Sequence, residues 1–519
     1  MKAATLRIFL SVHTWVGLVA GMALFIAFYA GAITVFTHEL GDWQRPAGTQ
    51  PVADPVGRSQ ALLDAVLATD PDPELGLFVV LPGDHGPQPS AYLYNEATGE
   101  QRRFVLDAAD ALRETPPRTG FVDFVYDLHF TAGLPRLPGS YLFGIICVLY
   151  GLALVSGVVI YAPTFVRDLF ALRIGRNVKR LWQDAHNVIG VLSLPFHVVL
   201  AWTGAVLTIG LLILVPFQSL VYEGKLFQVL GPDFEVTPHV AEAGVARPML
   251  PMAGLLQRAE ATIPGMVPNS VDYHGAGDAN ARAIVYGDLD QRRLSTAGAV
   301  AMDATTGEVV DSTQPTAYSP GRAFLYALYS LHFGTFGHAA VKWLYFVLGL
   351  AGAFLFYSGN LLWIEARRKR RQVEQPRRTR FMAALTLGVC LGCVAGVSAS
   401  FLAGALLPDA WAPRAYFLVF FAGIAWAFAR PPARAGHELL WLCALLTLAI
   451  PVAGAIGSGE HLFAAFANGH WHRFAVDAAA LAFALAFRAM ARATLRRGFN
   501  GDPNSVWALP ARTRDAPAA

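Results

Sequence analysis

Eight runs of apolar residues, each long enough to cross a lipid bilayer, decide most of what this chain can become. A spanning helix needs roughly 20 predominantly apolar residues. Runs at about 10–36, 139–162, 187–215, 340–364, 382–407, 412–430, 438–457 and 473–490 meet that need. The composition agrees: 55% of the 519 residues are hydrophobic and 15% are charged, where soluble domains carry about a quarter charged residues. The predicted fold class is an α-helical integral membrane protein of about eight transmembrane helices. The first run is too long for the apolar part of a secretory signal, about 7–15 residues, and it contains His13. It reads as a retained span.

Basic residues near span ends predict orientation. Lys2 and Arg7 precede the first run, and Arg167, Arg173, Arg176, Lys179 and Arg180 lie between the second and third. "EARRKRRQVEQPRRTR" follows the fourth, and Arg488, Arg492, Arg496 and Arg497 close the eighth. All fall on one side if both termini are cytoplasmic, with the connections at 37–138 and 216–339 outside. The net charge of +3 then reports topology and is no sign of nucleic-acid binding. Cys147, Cys390, Cys393 and Cys443 all lie in apolar runs, so no disulfide framework is implied. The C-x-x-C of Cys390 and Cys393 reads as small residues at a helix interface. No C-x-x-C-H is present, which excludes covalent c-type haem by that signature.

The front of the chain repeats itself, which is a primary clue to architecture. His13 and Gly17 match His186 and Gly190 at an offset of 173 residues, each pair at the start of an apolar run. "AYLYNEATGEQRRF" matches "AVAMDATTGEVVDS", aligning Gly99-Glu100 with Gly307-Glu308 at an offset of 208. Leu-His-Phe occurs twice, at His129 and His332, with an offset of 203, each just ahead of another run. The predicted organisation is a first repeat over 1–175 and a second over 176–371. Their outer α+β modules lie at about 45–120 and 225–320. A four-helix appendage follows over 381–497, then a disordered tail over 498–519. In each module a helical stretch ("SQALLDAVLATDP", "MAGLLQRAEATIPG") precedes alternating segments punctuated by Gly, Pro and Asn, which read as strands joined by turns.

Ionisable residues inside membrane spans are rare and mark function or pairing, and neutral imidazole is a metal and haem ligand. Two histidines on different helices of a bundle can hold one haem iron from both faces. The predicted topology places His13 and His186 as an inner pair and His129 and His332 as an outer pair. His197 has Leu24 as its repeat equivalent. It lies eleven residues after His186, about 16 Å further along one helix, and offers an alternative outer ligand. His38 and His338 are lesser candidates. His461, His470 and His472, around "NGHWHRF", read as interfacial. Trp15, Phe25, Phe28, Tyr29, Trp202 and Trp343 could pack on a porphyrin, although aromatic belts account for such residues too. Arg7, Lys179 and Arg180 could pair with propionates, and positive-inside topology already explains them. Two haems stacked across the bilayer would form an electron path.

These residues resemble a known family. "VHTWVGLVAGMALFIAFYAGAITVF", "AHNVIGVLSLPFHVVLAWTGAVLTI", the two T-G-E turns and the two Leu-His-Phe entries are similar to the PepSY-associated transmembrane proteins, also called iron-regulated membrane proteins. The resemblance covers about residues 5–370. It implies a bacterial inner-membrane ferrisiderophore reductase with PepSY modules in the periplasm. It also implies b-type haem, two groups by the count of pairs, bound through His13, His186, His129 and His332 with His197 as alternative. The chain would reduce a ferric siderophore or other ferric chelate. No G-x-G-x-x-G opens a helix after a strand, and the cytoplasmic loops are too short for a flavin domain, so electrons would come from a quinol or a cytoplasmic reductant. A non-enzymatic reading stands beside this one: a periplasmic binding, sensing or peptidase-modulating protein built on the same modules. A transporter is disfavoured, since the repeats keep one topology and lack broken helices or an intramembrane acid pair.

Overall fold

A computed structural model describes residues 3–49, 51–70, 72, 74–83, 86–95, 98–116, 120–165, 178–237, 240–289, 293–369 and 371–509. The chain opens with helices α1 (Ala3–Thr34), α2 (Thr37–Gln44) and α3 (Pro55–Thr69). Strands β1 (Gly76–Val80), β2 (Ser90–Tyr94), β3 (Gln101–Leu106) and β4 (Leu112–Thr115) follow. Next come α4 (Phe121–Thr131), α5 (Arg136–Tyr161), α6 (Val178–Leu192), α7 (Leu194–Leu220), α8 (Leu226–Phe234) and α9 (Met252–Thr262). A second set of strands, β5 (Val267–His274), β6 (Arg282–Asp288), β7 (Ala297–Asp303) and β8 (Val309–Thr313), leads to α10 (Pro320–Phe333) and α11 (His338–Ala366). The rest is helical: α12 (Arg377–Leu406), α13 (Trp411–Ala429), α14 (Pro432–Ser458), α15 (Leu462–Ala467) and α16 (Trp471–Asn500). Among the described residues eight helices are long and apolar enough to cross a membrane: α1, α5, α7, α11, α12, α13, α14 and α16. Each overlaps one of the eight apolar runs. Two compact units result, one of residues 1–47, 120–210 and 344–519 and one of residues 48–119 and 211–343.

The first unit is a helix bundle. Its most enclosed member is α12, whose Gly388, Gly392 and Gly396 recur at four-residue spacing along a stripe facing α13. A Cβ on Gly392 would lie 3.0 Å from the Phe420 carbonyl oxygen, and one on Gly388 would lie 2.8 Å from Ile424 Cα. Backbones approach this closely only over small residues. Cys390 and Cys393 are buried on the same helix, and the Cys443 thiol donates to the Leu391 carbonyl at 3.4 Å.

Two expectations need correction here. The run at 187–215 is not one helix, because α6 and α7 are separated at Ser193. Pro195 has no N–H to give to the preceding turn, and its ring crowds the carbonyl four residues back. Ser193 answers locally by donating its hydroxyl to the Ile189 carbonyl at 2.5 Å. His186 therefore sits on the amphipathic α6, and His197 sits in the first turn of α7. The tail expected to be disordered from 498 is also packed as far as Leu509. Trp507 Nε1 donates to Glu365 Oε1 at 3.0 Å, and Leu509 N donates to the Gly498 carbonyl at 2.8 Å. Residues 510–519, and the basic Lys2, Arg167, Arg173 and Arg176, lie outside the described residues.

The second unit is built on one antiparallel sheet of eight strands, ordered β4-β3-β2-β1-β5-β6-β7-β8. Each half contributes a helix and a four-stranded meander, and β1 pairs with β5 at the seam, Val79 opposite Val271. Leu62, Leu63 and Val66 of α3 and Leu255 and Ala259 of α9 bury against Leu77, Val79, Val271 and Val285. One core thus serves both halves, each of which alone would be small.

The two T-G-E segments do not occupy equivalent places in this sheet. The first closes the β2–β3 turn and the second the β7–β8 turn. Their likeness is local turn chemistry. Gly99 and Gly307 both take φ of 72°, a left-handed conformation that favours glycine. Asn95 and Asp303, four residues earlier, accept from the following backbone N–H groups. Burial pushes the Asp303 carboxyl up, but the Thr305 hydroxyl, these N–H groups and Arg282 outweigh it and hold it below the usual range.

Two outcomes follow. Gly392→Val forces α12 and α13 apart and should destabilise the bundle by about 1–3 kcal/mol. Gly151→Ala, where a Cβ meets nothing within 4 Å, should be neutral or slightly stabilising, both read from denaturation in detergent. Asp303 has a depressed folded pKa, so its contribution is full above the unfolded carboxylate value of about 4 and is lost as pH falls through the lower folded value. Asp303→Asn should flatten the acid limb of the sheet's stability profile; an unchanged limb refutes this.

Candidate functional site

Four of the five histidines expected as ligands, His13, His129, His186 and His197, lie in the helix bundle, and each presents Nδ1 to the protein. His13 on α1 sets Nδ1 at 2.9 Å from the Ala153 carbonyl of α5, with Ser156 Oγ at 3.4 Å. His186 on α6 sets Nδ1 at 3.2 Å from both the Leu355 carbonyl and Ser358 Oγ of α11. His129, in the last turn of α4, sets Nδ1 at 2.7 Å from the Ala27 carbonyl of α1. A carbonyl only accepts, so these Nδ1 atoms carry the proton and leave Nε2 with its lone pair. Metal-binding histidines are commonly oriented in this way, by a backbone carbonyl on the opposite nitrogen.

His13 and His186 come together. Their ring centroids are 6.2 Å apart and the ring planes stand at 86°. Two imidazoles that bind one ion from opposite sides, at about 2 Å per nitrogen, have centroids roughly 6 Å apart. The centroid spacing of the pair matches that distance. Among the described residues no group of three or more His, Cys, Asp or Glu is placed to hold a metal, so a candidate site here rests on such a pair.

His197 is fully buried and differs from the others. Its Nδ1 lies 2.5 Å from the Tyr150 hydroxyl, while Nε2 is buried with no hydrogen-bond partner. Phe28, at 5.6 Å between centroids, and Phe196, at 5.8 Å, enclose it. An orphaned polar atom in such a wall is costly, and it marks a position able to bind a ligand. His332 belongs to the other compact unit, in the last turn of α10, where its ring packs on Phe333.

Glycines seat three of these rings. A Cβ on Gly157 would lie 3.0 Å from His13 Cε1, one on Gly359 3.4 Å from His186 Cε1, and one on Gly31 2.5 Å from His129 Nδ1. The Ser-Gly pairs at 156–157 and 358–359 went unread in the sequence, although they recur at an offset of 202, close to that of the Leu-His-Phe entries. Tyr150 was missed as well. At the same offset it aligns with Gly352, so the partner of His197 is as unduplicated as His197 itself.

The remaining candidates have other surroundings. His461 caps α15 by accepting from Ala464 N, His470 pairs with Glu460, and His472 pairs with Asp42. His38 lies on α2, and His338 opens α11 with φ of 58°. Phe25 and Phe28 are buried, whereas Trp15, Trp202 and Trp343 are exposed in this chain, as lipid-facing aromatics would be. Arg7, Lys179 and Arg180 are exposed.

The fold and this site define a multi-pass membrane protein with histidines paired inside its bundle. Residues 10–366 match the family described as the PepSY-associated TM region, and the chain belongs to that family. It is also 27% identical over 324 residues to an uncharacterized protein of Pseudomonas aeruginosa, covering 58% of this chain and 78% of the relative.

The tautomers can be checked directly. Nuclear magnetic resonance of isotope-labelled histidine, in protein prepared without metal or cofactor, should find His13, His186 and His129 protonated on Nδ1. Gly31→Ala should displace the His129 ring and remove that signal. A mixture of tautomers at His13 and His186 would contradict the assignment.

Proposed function

We propose that this protein is a haem-containing transmembrane electron carrier that reduces a ferric chelate, a ferrisiderophore by preference, on the outer side of a bacterial inner membrane. The observation that carries the reading is the approach of the His13 and His186 rings to 6.2 Å between centroids, with each Nδ1 tied to a carbonyl and a serine hydroxyl. In this reading His13 and His186 hold one b-type haem through Nε2. A second is held by histidines drawn from His129, His332 and His197. When bound, haem supplies a one-electron carrier whose potential follows its ligands and surroundings.

The protein's own groups do the remaining work. Ala153, Leu355, Ser156 and Ser358 fix the imidazoles and their protons, and Gly157 and Gly359 let the rings lie against α5 and α11. Phe28, Phe196 and Tyr150 exclude water from His197. Electron delivery to the outer face suits ferric chelates, because hard oxygen ligands hold Fe(III) better than Fe(II). Both termini are cytoplasmic in this reading, which follows from the basic loops. The donor is a quinol in the surrounding lipid or a cytoplasmic reductant. The sheet unit is then periplasmic, its two helix-plus-meander halves being duplicated PepSY modules that face the chelate.

An absorption spectrum of the purified protein, expressed with ample haem, tests this. A Soret band that shifts on dithionite addition, with split low-spin bands, is expected. His13→Ala and His186→Ala should each remove the same haem, about half of the total if two are bound. Ser156→Ala and Ser358→Ala should retain it with affinity weakened by about 10–100-fold. Parallel His129→Ala, His197→Ala and His332→Ala variants assign the second site. Without Soret absorbance the electron-transfer reading falls and the non-enzymatic binding or sensing reading takes its place.

A further inference from the structure

The appendage holds a second set of buried charged groups, which the histidine pair does not use. Arg473 and Asp477 stand one turn apart on α16, so their side chains share a face. They are 6% and 0% exposed. Trp43 of α2 donates its indole N–H to Asp477 Oδ1 at 2.8 Å. The other oxygen, Oδ2, is buried with no hydrogen-bond partner among the described residues. Arg473 Nη2 donates to the carbonyls of Asp42, at 3.2 Å, and Arg45, at 2.7 Å. Its Nη1 lies 3.5 Å from Glu460 Oε2 and makes no hydrogen bond. Glu460 is buried between α14 and α15 and accepts from Asn468 Nδ2 at 2.7 Å, with His470 Nδ1 at 2.8 Å. His470 is half exposed. Around it, His472 Nδ1 lies 2.6 Å from Asp42 Oδ2, and Asp42 also pairs with Arg45.

Leaving a carboxylate oxygen and a guanidinium N–H both unpaired inside a bundle is expensive. Buried waters occupy polar niches of this kind, and one placed between the two atoms would donate to Oδ2 and accept from Nη1. Glu460 Oε2 lies 3.5 Å from that Nη1 and 2.8 Å from His470 Nδ1, so a water at Nη1 that also donates to Glu460 would complete a series from Asp477 to His470 at the surface. Arg473 keeps its own proton throughout and orients the carboxylates on either side.

We propose that Asp477 is a proton-exchange site within the membrane bundle, reached from the surface through a buried water, Glu460 and His470. Each step passes one proton with no change in oxidation state. The His470 imidazolium gives a proton to the Glu460 carboxylate, Glu460 passes a proton to the water as the water gives one to Asp477, and bulk water reprotonates His470. A cluster that merely ties α2 to α16 would hold the same groups in place without exchanging anything, so the test must read protons.

Infrared difference spectra of the full-length protein in lipid nanodiscs, taken between mildly acidic and mildly alkaline pH, supply that readout. A carboxyl C=O band that shifts in heavy water should be lost in Asp477→Asn and displaced in Asp477→Glu. Should the asparagine variant fail to fold, the glutamate variant carries the assignment. Deuterium exchange of the band should slow by about tenfold or more in Glu460→Gln and in His470→Ala. Absence of an Asp477-dependent band, or unchanged exchange in both path variants, overturns the proposal. The measurement is independent of haem content, so its failure is distinct from that of the electron-transfer reading.

Discussion

A histidine inside an apolar bundle has two nitrogens to satisfy, and the hydrogen bond made by the first determines what the second can do. In this protein Nδ1 of His13, His129 and His186 is tied to a backbone carbonyl of a neighbouring helix. A helical carbonyl already accepts one bond from its own ladder and has a second lone pair to offer. The imidazole is satisfied on one side without a further polar side chain being brought into the bundle. That economy lets three rings be placed among apolar helices.

The same bond constrains the packing around it. A ring can reach a backbone carbonyl only if the helix surface beside that carbonyl is bare, which explains the glycines at 31, 157 and 359. His197 obeys a different rule. Its partner is the Tyr150 hydroxyl, a group that donates or accepts, so its tautomer is not fixed by the partner alone. Asymmetry between the two halves is therefore chemical as well as positional. The bundle joins three rings with one fixed proton arrangement to a fourth whose proton can move.

Spans and histidines were legible because hydrophobicity and an ionisable residue within it are strong one-dimensional signals. The helices α3 and α9 were legible for the same reason, since their apolar spacing is helical. What escaped was whatever depends on a partner far along the chain. Ser156, Ser358 and Tyr150 acquire meaning only once α5 and α11 lie beside the histidines, and polar residues in apolar runs are otherwise unremarked. The T-G-E likeness misled for the opposite reason. Asx side chains followed by a left-handed glycine build the same turn wherever a hairpin needs one, so similarity there carries little information about descent. The seam between β1 and β5 could not be read either, because strand alternation says which face is buried and not which strand lies alongside.

The break at Ser193 bears on any account of charge movement in this molecule. Tunnelling rates fall exponentially with the gap between donor and acceptor, so the spacing of binding positions along the bundle matters more than their number. Counting residues from His186 to His197 along an unbroken helix would fix that spacing at a helical rise. The junction at Ser193, just ahead of Pro195, interrupts that rule. Under the proposed electron-transfer reading, the junction of α6 and α7 sets the spacing of His186 and His197, and Pro195 becomes a determinant of the rate through that junction.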